Sequence, residues 1–308
     1  MALLNLDPDQ LRVGLAIAFA CFLCTCKLRT VLTVEATLSI VEGTCTVLFA
    51  KDVLQRYTTG VSIDVQHEYL VTARVALLAM PALTWLLSSI TTDTTCRTAI
   101  LVSRLVGYGL TAVFMIIEHW RLGIFSRMHV LYSLVPCCLW VFVMTVQLLR
   151  TGGRVSTSVR TTELNQLLKY DLTVMLVFAA ADIIAPRFFG HFVGRTVEPL
   201  HAFLHRINGA LALGAAALPA IGQRFMYRRD KRNILVARVV TCTGWLLVTV
   251  VGYQRGRLPA TDSTLAFMAQ SIILMIPALI GCLSGAGRPV IYLPNPKHAS
   301  LHEIFGKM

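Results

Sequence analysis

The sequence predicts an all-α polytopic membrane protein that consists of two parallel four-helix repeats and an extra N-terminal hydrophobic helix. Three observations lead to this fold class. Hydrophobic residues make up 56% of the 308 residues and charged residues only 14%, whereas soluble domains carry about 25% charged residues. Apolar segments of about twenty residues, the length that crosses a bilayer core, recur along the chain. Segments of the first half also reappear, in the same order, in the second half.

The N-terminal region, residues 1–30, contains one apolar segment at residues 11–26. A signal peptide has an apolar core of similar length, but that core follows a basic start and precedes a small-residue cleavage site. Here Asp7 and Asp9 come first, and no such site follows the segment. We therefore expect an uncleaved hydrophobic helix outside the repeats, although the segment is short for a full span.

Eight longer apolar segments follow, four in each half of the chain. The first repeat comprises residues 31–150 and the second residues 170–284. A basic linker, residues 151–169, joins them, and a polar C-terminal tail occupies residues 285–308. The predicted spans are 31–50, 70–90, 99–118 and 130–150 in the first repeat, and 170–188, 203–222, 234–253 and 265–283 in the second.

The two repeats align with each other helix by helix. The string LTVEATLSIVEG, which starts at Leu32, matches LTVMLVFAAADI, which starts at Leu172, at an offset of 140 residues. The offset is 132 at the second helix and 134 at the third, so the loops differ in length while the helices persist. Because each repeat has an even number of spans, both repeats enter the membrane from the same side, which predicts a parallel repeat.

Two acids at matching positions of this alignment, Glu42 and Asp182, fall within apolar spans. A carboxylate at membrane depth costs several kcal/mol unless it is paired or protonated. Arg74 and Arg206 lie about one turn into the following helices, at the same depth. We expect structural ion pairs between Glu42 and Arg74 and between Asp182 and Arg206; a proton or substrate site is the alternative.

The formal net charge is +12, and most of the basic residues are arginines in loops on one side of the predicted membrane topology. The positive-inside rule places that side, with the C-terminus, in the cytosol or the mitochondrial matrix. Arginines near a membrane surface bind the phosphates of anionic, cardiolipin-like lipids. We expect Arg104 and Arg238 to reach lipid phosphates from within their helices. The residues predicted to bind lipid head groups from the loops are Arg154, Arg160, Arg224, Arg228, Arg229, Lys231 and Arg232.

Histidines provide the strongest candidates for metal or haem ligands. His201 and His205 stand four residues apart on one helix face, with Glu198 and His191 upstream. Such spacing suits a metal or an axial haem ligand, but a pair of interfacial histidines explains it equally and is the reading we favour. Cys21, Cys24 and Cys26 lack a second pair of ligands at zinc spacing.

The chain contains none of the loops or motifs typical of nucleotide-binding or hydrolytic enzymes. No basic soluble domain is present that would bind nucleic acid. We therefore expect a protein that is not an enzyme, has no cofactor or metal, and does not bind nucleic acid. The glycine-rich segment NGALALGAAA is typical of close helix packing in lipid.

Each half has the layout of a known family of small membrane proteins. A first helix is followed by an aromatic stretch, LFAKDVLQRY or RFFGHFVGRTVEPL, and by an arginine near the start of the second helix. The third helix carries SRLV at Ser103–Val106 or ARVV at Ala237–Val240. This layout resembles the DoxX-like four-helix membrane proteins, in particular the tumour-suppressor-inducible small membrane protein family. The resemblance implies a tandem duplication with one four-helix bundle per half, and it supplies no catalytic residues.

Three functions fit these observations. The first is a non-catalytic accessory or structural subunit of a larger membrane complex, such as a respiratory complex of the mitochondrial inner membrane, with other membrane subunits and anionic lipids as partners. The second is a carrier for a small anion or a lipid that uses the interface between the two repeats. The third is a membrane enzyme or a metal or haem protein that uses the His191–His205 cluster. We expect the first.

Overall fold

The computed structural model describes residues 8–156, 163–186, 198–254, 262–283 and 298–300, which form ten helices and two short strands. Six helices are α1 Pro8–Thr25, α2 Leu28–Leu48, α3 Ala50–Tyr57, α4 Val65–Ser88, α5 Thr94–Leu122 and α6 Arg127–Thr151. The others are α7 Glu163–Ile184, α8 Pro199–Gly222, α9 Arg228–Gln254 and α10 Asp262–Leu283. Strand β1 Arg154–Ser156 pairs antiparallel with β2 His298–Ser300. The prediction of an all-α fold is confirmed.

Six of these helices, α1, α2, α4, α5, α6 and α9, are long and apolar enough to cross a membrane. The chain is therefore an integral membrane protein. Two predicted spans, 170–188 and 203–222, correspond to helices α7 and α8, which do not reach the same apolarity. In α8 the reason is its position, because most of its side chains are buried against protein and need not be as apolar as a lipid-facing surface.

The N-terminal helix α1 lies against α6. Ala20 and Leu23 form a small apolar cluster with Val31 and Val143. At the end of α1 the amide of Gln147 donates to the carbonyl oxygens of Leu23 and Cys26, at 3.1 and 3.2 Å. These bonds satisfy carbonyls that the end of a helix leaves without partners. As predicted, the 11–26 segment forms a helix, and it packs as part of the bundle.

Four helices, α4, α5, α8 and α9, form the centre of the bundle. Helix α5 packs along α8, and α4 contacts both α9 and α8; α2, α6, α7 and α10 cover α4, α5, α8 and α9 respectively. The most extensive contacts of α8 are therefore with α5 of the other half of the chain, followed by α7. The halves interlock rather than forming the two self-contained bundles that the family resemblance implies.

Glycines allow the closest of these helix contacts. A Cβ atom added at Gly214 of α8 would lie 2.6 Å from the Cα atom of Gly107 and 2.6 Å from the carbonyl oxygen of Ser103, both in α5. Only glycine fits such a backbone approach. Gly209 meets α7 in the same way, with the carbonyl oxygen of Ala179 at 2.9 Å. The prediction that NGALALGAAA serves close packing is confirmed.

The ends of the helices show the direction of α4 and α8. Glu198, which precedes α8, lies 3.8 Å from the imidazole of His67 in the first turn of α4. At the other end, the Met226 N–H after α8 donates to the carboxylate of Asp93 after α4, at 2.9 Å. Helices α4 and α8, the second helices of the two halves, therefore run in the same direction.

The linker and the start of the second half differ from the prediction. Residues 151–169 were expected to form a linker, but Arg154–Ser156 is a strand and α7 begins at Glu163. Leu164 and Leu168 are fully buried, so this helix is anchored well before residue 170. Hydropathy alone missed its first two turns because polar residues alternate with these leucines.

Helix α6 contains the mid-span proline Pro136. A π-helical turn at Val130–Leu134 immediately precedes the α-helical part of α6, in which Pro136 occupies the first turn. Proline lacks an N–H group and clashes with the carbonyl four residues earlier. The wider π turn accommodates both effects, so the helix crosses this point without a break.

Candidate functional site

Two buried ion pairs hold the first helix of each half to the third. In the first half, Nε of Arg104 lies 2.8 Å from Oε1 of Glu35, and the two side chains are only 3% and 1% exposed. Tyr108 donates to the same carboxylate oxygen at 2.8 Å, and Arg104 donates to the carbonyl oxygen of Leu78 at 2.9 Å. The charge is thus surrounded by protein partners.

In the second half, Arg238 donates to both oxygens of Asp171, at 2.8 and 3.0 Å. This is the bidentate geometry that gives the strongest arginine–carboxylate pairs. The prediction that Arg104 and Arg238 reach lipid phosphates is therefore wrong. Both arginines turn inward because an acid on the neighbouring helix neutralises them.

These acids, Glu35 and Asp171, were missed because the predicted alignment of α2 with α7 was one helical turn out. They are related by an offset of 136 residues, as are the fully buried Leu32 and Leu168. The repeated LTV string favoured 140 instead. The available signal was the shared spacing of a leucine followed three residues later by an acid.

The predicted pair of Asp182 and Arg206 is wrong. Oδ1 of Asp182 lies 2.7 Å from Nδ1 of His205, and Arg206 pairs with Glu118 of α5. Adjacent residues on a helix point about 100° apart, so His205 faces α7 while Arg206 faces α5. The sequence did not reveal Glu118, because it lies near the end of a span where acids are common.

The predicted pair of Glu42 and Arg74 does not form among the residues that the structure describes, but both side chains line one cavity of about 610 Å³. We call it the first-half cavity. Helices α2, α3, α4 and α6 enclose it, and α8 closes it with Leu200, Phe203 and Leu204. Its walls are mainly aliphatic and aromatic, which is usual for a ligand site.

Charged residues are divided between the rim and the interior of the first-half cavity. Glu42, Asp52 and Arg56 are exposed, whereas Arg74 is half-buried. His129, also in the wall, is 3% exposed, and its ring stacks on Phe125 with centroids 4.4 Å apart. The interior therefore offers one permanent cation, Arg74, among apolar side chains.

A chain of imidazoles lies between α4, α7 and α8. Nε2 of His205 is 3.2 Å from Nε2 of His201, and the His201 ring is 5.9 Å from that of His67. His67 is 1% exposed, while its neighbours Asp64 and Glu198 are 42% and 52% exposed. We call His67, His201, His205 and Asp182 the imidazole chain.

The outer part of the imidazole chain is built by helix starts. Asp64 caps α4 by accepting the backbone N–H of His67 at 2.9 Å, and Glu198 precedes α8, whose first residue is Pro199. Sequence comparison of the halves missed His67 because it matched residues near His201 and His205 with Tyr69 and Ala73. An Asp–x–x–His spacing at a helix start was the available signal.

The predicted metal ligands do not converge into a metal site in the structure. Among the described residues, no group of three or more His, Cys, Asp or Glu side chains has an arrangement that could hold a metal ion. His191 lies outside the described residues. All nine cysteines are unpaired.

The predicted lipid-binding residues lie at one end of the bundle but differ in exposure. Arg154 and Arg229 are exposed, and Arg224, Arg228 and Arg232 are half-buried. Lys231 is 2% exposed, and its ammonium donates to Asn165 at 2.8 Å and to the carbonyl oxygen of Gln223 at 2.9 Å. The prediction that Lys231 binds lipid is therefore wrong. Arg160 lies outside the described residues.

Comparison with known proteins places the chain in a family of integral membrane proteins with this eight-helix core. The family model described as "Domain of unknown function (DUF8292)" matches residues 33–283. The chain belongs to that family. Comparisons with curated proteins and with solved structures found no match. The matched region runs from α2 to the end of α10, so one model covers both halves and leaves out α1.

Proposed function

We propose that this protein is a carrier for a small amphiphilic anion, and that the first-half cavity is its binding site. The observation that carries the proposal is the guanidinium of Arg74 inside a largely apolar cavity of about 610 Å³. A guanidinium pairs with carboxylate or phosphate, and the aliphatic and aromatic walls suit an alkyl chain. A ligand that has both parts satisfies the whole cavity.

The surroundings of Arg74 support the proposal. Arg74 makes no ion pair with an acid of the described residues, whereas Arg206, its match at an offset of 132, pairs with Glu118. At the offset of 134 that relates α5 to α9, the match of Glu118 is Gly252. The residue that would neutralise Arg74 is therefore a glycine. A half-buried arginine in a membrane protein favours a functional site for this reason.

The contact pattern supports the proposed parallel duplication on which this comparison rests. Helix α2 packs on α4 as α7 packs on α8, and α5 packs on α6 as α9 packs on α10. Across the halves, α5 packs on α8 as α9 packs on α4. The pairs Arg104–Glu35 and Arg238–Asp171 occupy matching helices. The relation to DoxX-like proteins remains a prediction.

Ligand binding can be tested by thermal unfolding in detergent with decanoate, decyl phosphate and the uncharged decanol. We expect both anions, but not decanol, to raise the melting temperature; a ligand at about 100 times its Kd stabilises by about 2.7 kcal/mol. Arg74→Gln should weaken anion binding by roughly tenfold to a hundredfold, because a charged hydrogen bond contributes about 1.5–3 kcal/mol.

Two further variants fix the sign of the charge effect. Glu42→Gln should strengthen anion binding, because it removes a negative charge from the cavity rim, and Arg12→Gln, on the exposed face of α1, should change nothing. Equal stabilisation of the protein and of Arg74→Gln by decanoate would refute the proposal. Weaker binding by Glu42→Gln would instead indicate a zwitterionic ligand.

The second candidate function is the accessory subunit, and the paired buried charges favour it. Arg104–Glu35 and Arg238–Asp171 are complete without a ligand, as expected of a scaffold. In this proposal the exposed arginines bind cardiolipin-like lipids of a mitochondrial inner membrane, and other membrane subunits cover the outer helices. Native co-purification of a stoichiometric complex would support it, and an isolated chain would contradict it.

Lipid binding gives a separate prediction. The double variant Arg154→Gln, Arg229→Gln should lower affinity for cardiolipin-containing vesicles by about 2 kcal/mol, because each basic residue near an anionic surface contributes about 1 kcal/mol. Vesicle flotation measures the change. Lys231→Gln, the control, should leave lipid affinity unchanged and lower thermal stability. No difference between the double variant and the unmodified protein would contradict the prediction.

A further inference from the structure

We propose that the imidazole chain transfers protons between the membrane surface at Asp64 and Glu198 and the buried carboxylate of Asp182. It is separate from the first-half cavity and does not depend on the carrier proposal. Its outer end, His67, is in contact with two exposed carboxylates. Its inner end, Asp182, opens on a small internal cavity.

The hydrogen bonds fix the direction in which each imidazole donates. An ionised Asp182 only accepts hydrogen bonds, so Nδ1 of His205, at 2.7 Å, carries the proton. Nε2 of neutral His205 is then an acceptor, and the proton in the 3.2 Å contact belongs to Nε2 of His201. His201 consequently presents a deprotonated Nδ1 to the next donor.

A proton that reaches Nδ1 of His201 can therefore move inward in two transfers. His201 gives its Nε2 proton to Nε2 of His205, and His205 gives its Nδ1 proton to Oδ1 of Asp182. One N–H bond forms on His201 as one O–H bond forms on Asp182, so the charge of both histidines is unchanged. Both imidazoles end in the opposite tautomer, and ring reorientation or the reverse transfer restores them.

His67 connects this pair to the surface. Its Nε2 atom is buried with no hydrogen-bond partner in the part of the chain that the structure describes, and Oε2 of Glu198 lies 3.8 Å away. The rings of His67 and His201 are 5.9 Å apart between centroids, a separation that one bridging water molecule can span. The unpartnered buried nitrogen lies at the one step that lacks a direct bond.

The internal cavity gives the proton a destination. Asp182, His205, Asn208 and Arg238 line a space of about 40 Å³ between α7, α8 and α9, which is enough for at least one water molecule. Other charged groups facing this region are already paired: Arg206 with Glu118, and Arg238 with Asp171. Asp182 is therefore the acid whose protonation changes the charge beside this cavity.

The test uses the full chain in nanodiscs and follows the carboxylic C=O stretch by time-resolved infrared spectroscopy after a downward pH jump. The Asp182→Asn variant identifies the band of Asp182 by its loss. His201→Ala should slow the appearance of this band by roughly a hundredfold, the low end of what a positioned proton-transfer group contributes. Added imidazole should restore part of the rate.

Two variants keep the test decisive. His201→Gln keeps a hydrogen bond to His205 but cannot pass a proton, so it should be as slow as His201→Ala while retaining the melting temperature. His119→Ala, a histidine outside the chain, should be as fast as the unmodified protein. An unchanged rate in His201→Gln, an Asp182 band that never appears, or a stoichiometric metal ion bound to these histidines would overturn the proposal.

Discussion

Arg238→Ala is expected to lower the free energy of unfolding by about 3–5 kcal/mol, because it leaves a buried carboxylate without its partner. Both side chains of the Arg238–Asp171 pair are almost fully buried, at 3% and 4% exposure. Membrane surroundings give the orphaned charge no access to water. Thermal and denaturant unfolding in detergent measure the effect, and Asp171→Ala should give a loss of similar size.

The matched control is the pair of Arg12 and Asp9, in which Arg12 is 60% exposed. Arg12→Ala should cost about 1 kcal/mol or less, because exposed pairs contribute little. The double variant Arg238→Met, Asp171→Leu should recover most of the stability, since apolar residues of similar volume replace buried ion pairs well. If Arg238→Ala is no more destabilising than Arg12→Ala, the pair is not a structural clamp.

The second large effect is expected for Gly214→Ala, which should destabilise the protein by about 3 kcal/mol. The new Cβ atom would lie 2.6 Å from backbone atoms of Gly107 and Ser103. Backbone cannot rotate away as a side chain can, so α5 and α8 must separate along their contact. Overpacking of a well-filled interior typically costs about 1–3 kcal/mol, and this site lies at the upper end.

Gly109→Ala and Gly244→Ala provide matched controls. Both glycines lie within helices of the bundle, and an added Cβ atom meets nothing within 4 Å at either site. Alanine should therefore stabilise there by up to about 1 kcal/mol, since glycine is a poorer helix former. A melting temperature of Gly214→Ala equal to that of Gly109→Ala would show that the two halves do not meet at this point.

Composition and hydropathy were sufficient to predict the membrane fold, because every lipid-facing helix must be apolar over its length. They were less informative about α7 and α8. Helix α8 is surrounded by protein, and the first turns of α7 carry polar residues between Leu164 and Leu168. Elements in the middle of a membrane bundle are less constrained in apolarity, so their boundaries are harder to place.

The partners of buried charges could not be predicted from depth alone. Arg206 and His205 are adjacent in sequence and equally deep, yet they contact different helices, Glu118 on α5 and Asp182 on α7. Direction around the helix axis decides this, and a depth estimate contains no such information. The alignment error of one turn at Glu35 and Asp171 has the same origin, because a shift of four residues leaves the helix face almost unchanged.

Arginines in this protein therefore fall into three environments. Arg104 and Arg238 are buried in ion pairs, and Arg154 and Arg229 are exposed at one end of the bundle. Arg74 differs from both groups, since it is half-buried in a cavity and has no acid paired with it among the described residues. This difference is the physical basis for assigning it to a ligand.

Photolabelling tests the ligand site most directly. The protein in nanodiscs is irradiated with a diazirine-bearing decanoate, and the adducts are mapped by peptide mass spectrometry. The account predicts adducts on cavity-wall residues such as Val53, Val71 and Val75, which disappear with excess decanoate and in Arg74→Gln but not in Arg12→Gln. Adducts confined to lipid-facing residues such as Val177, or cavity adducts unaffected by Arg74→Gln, would contradict it.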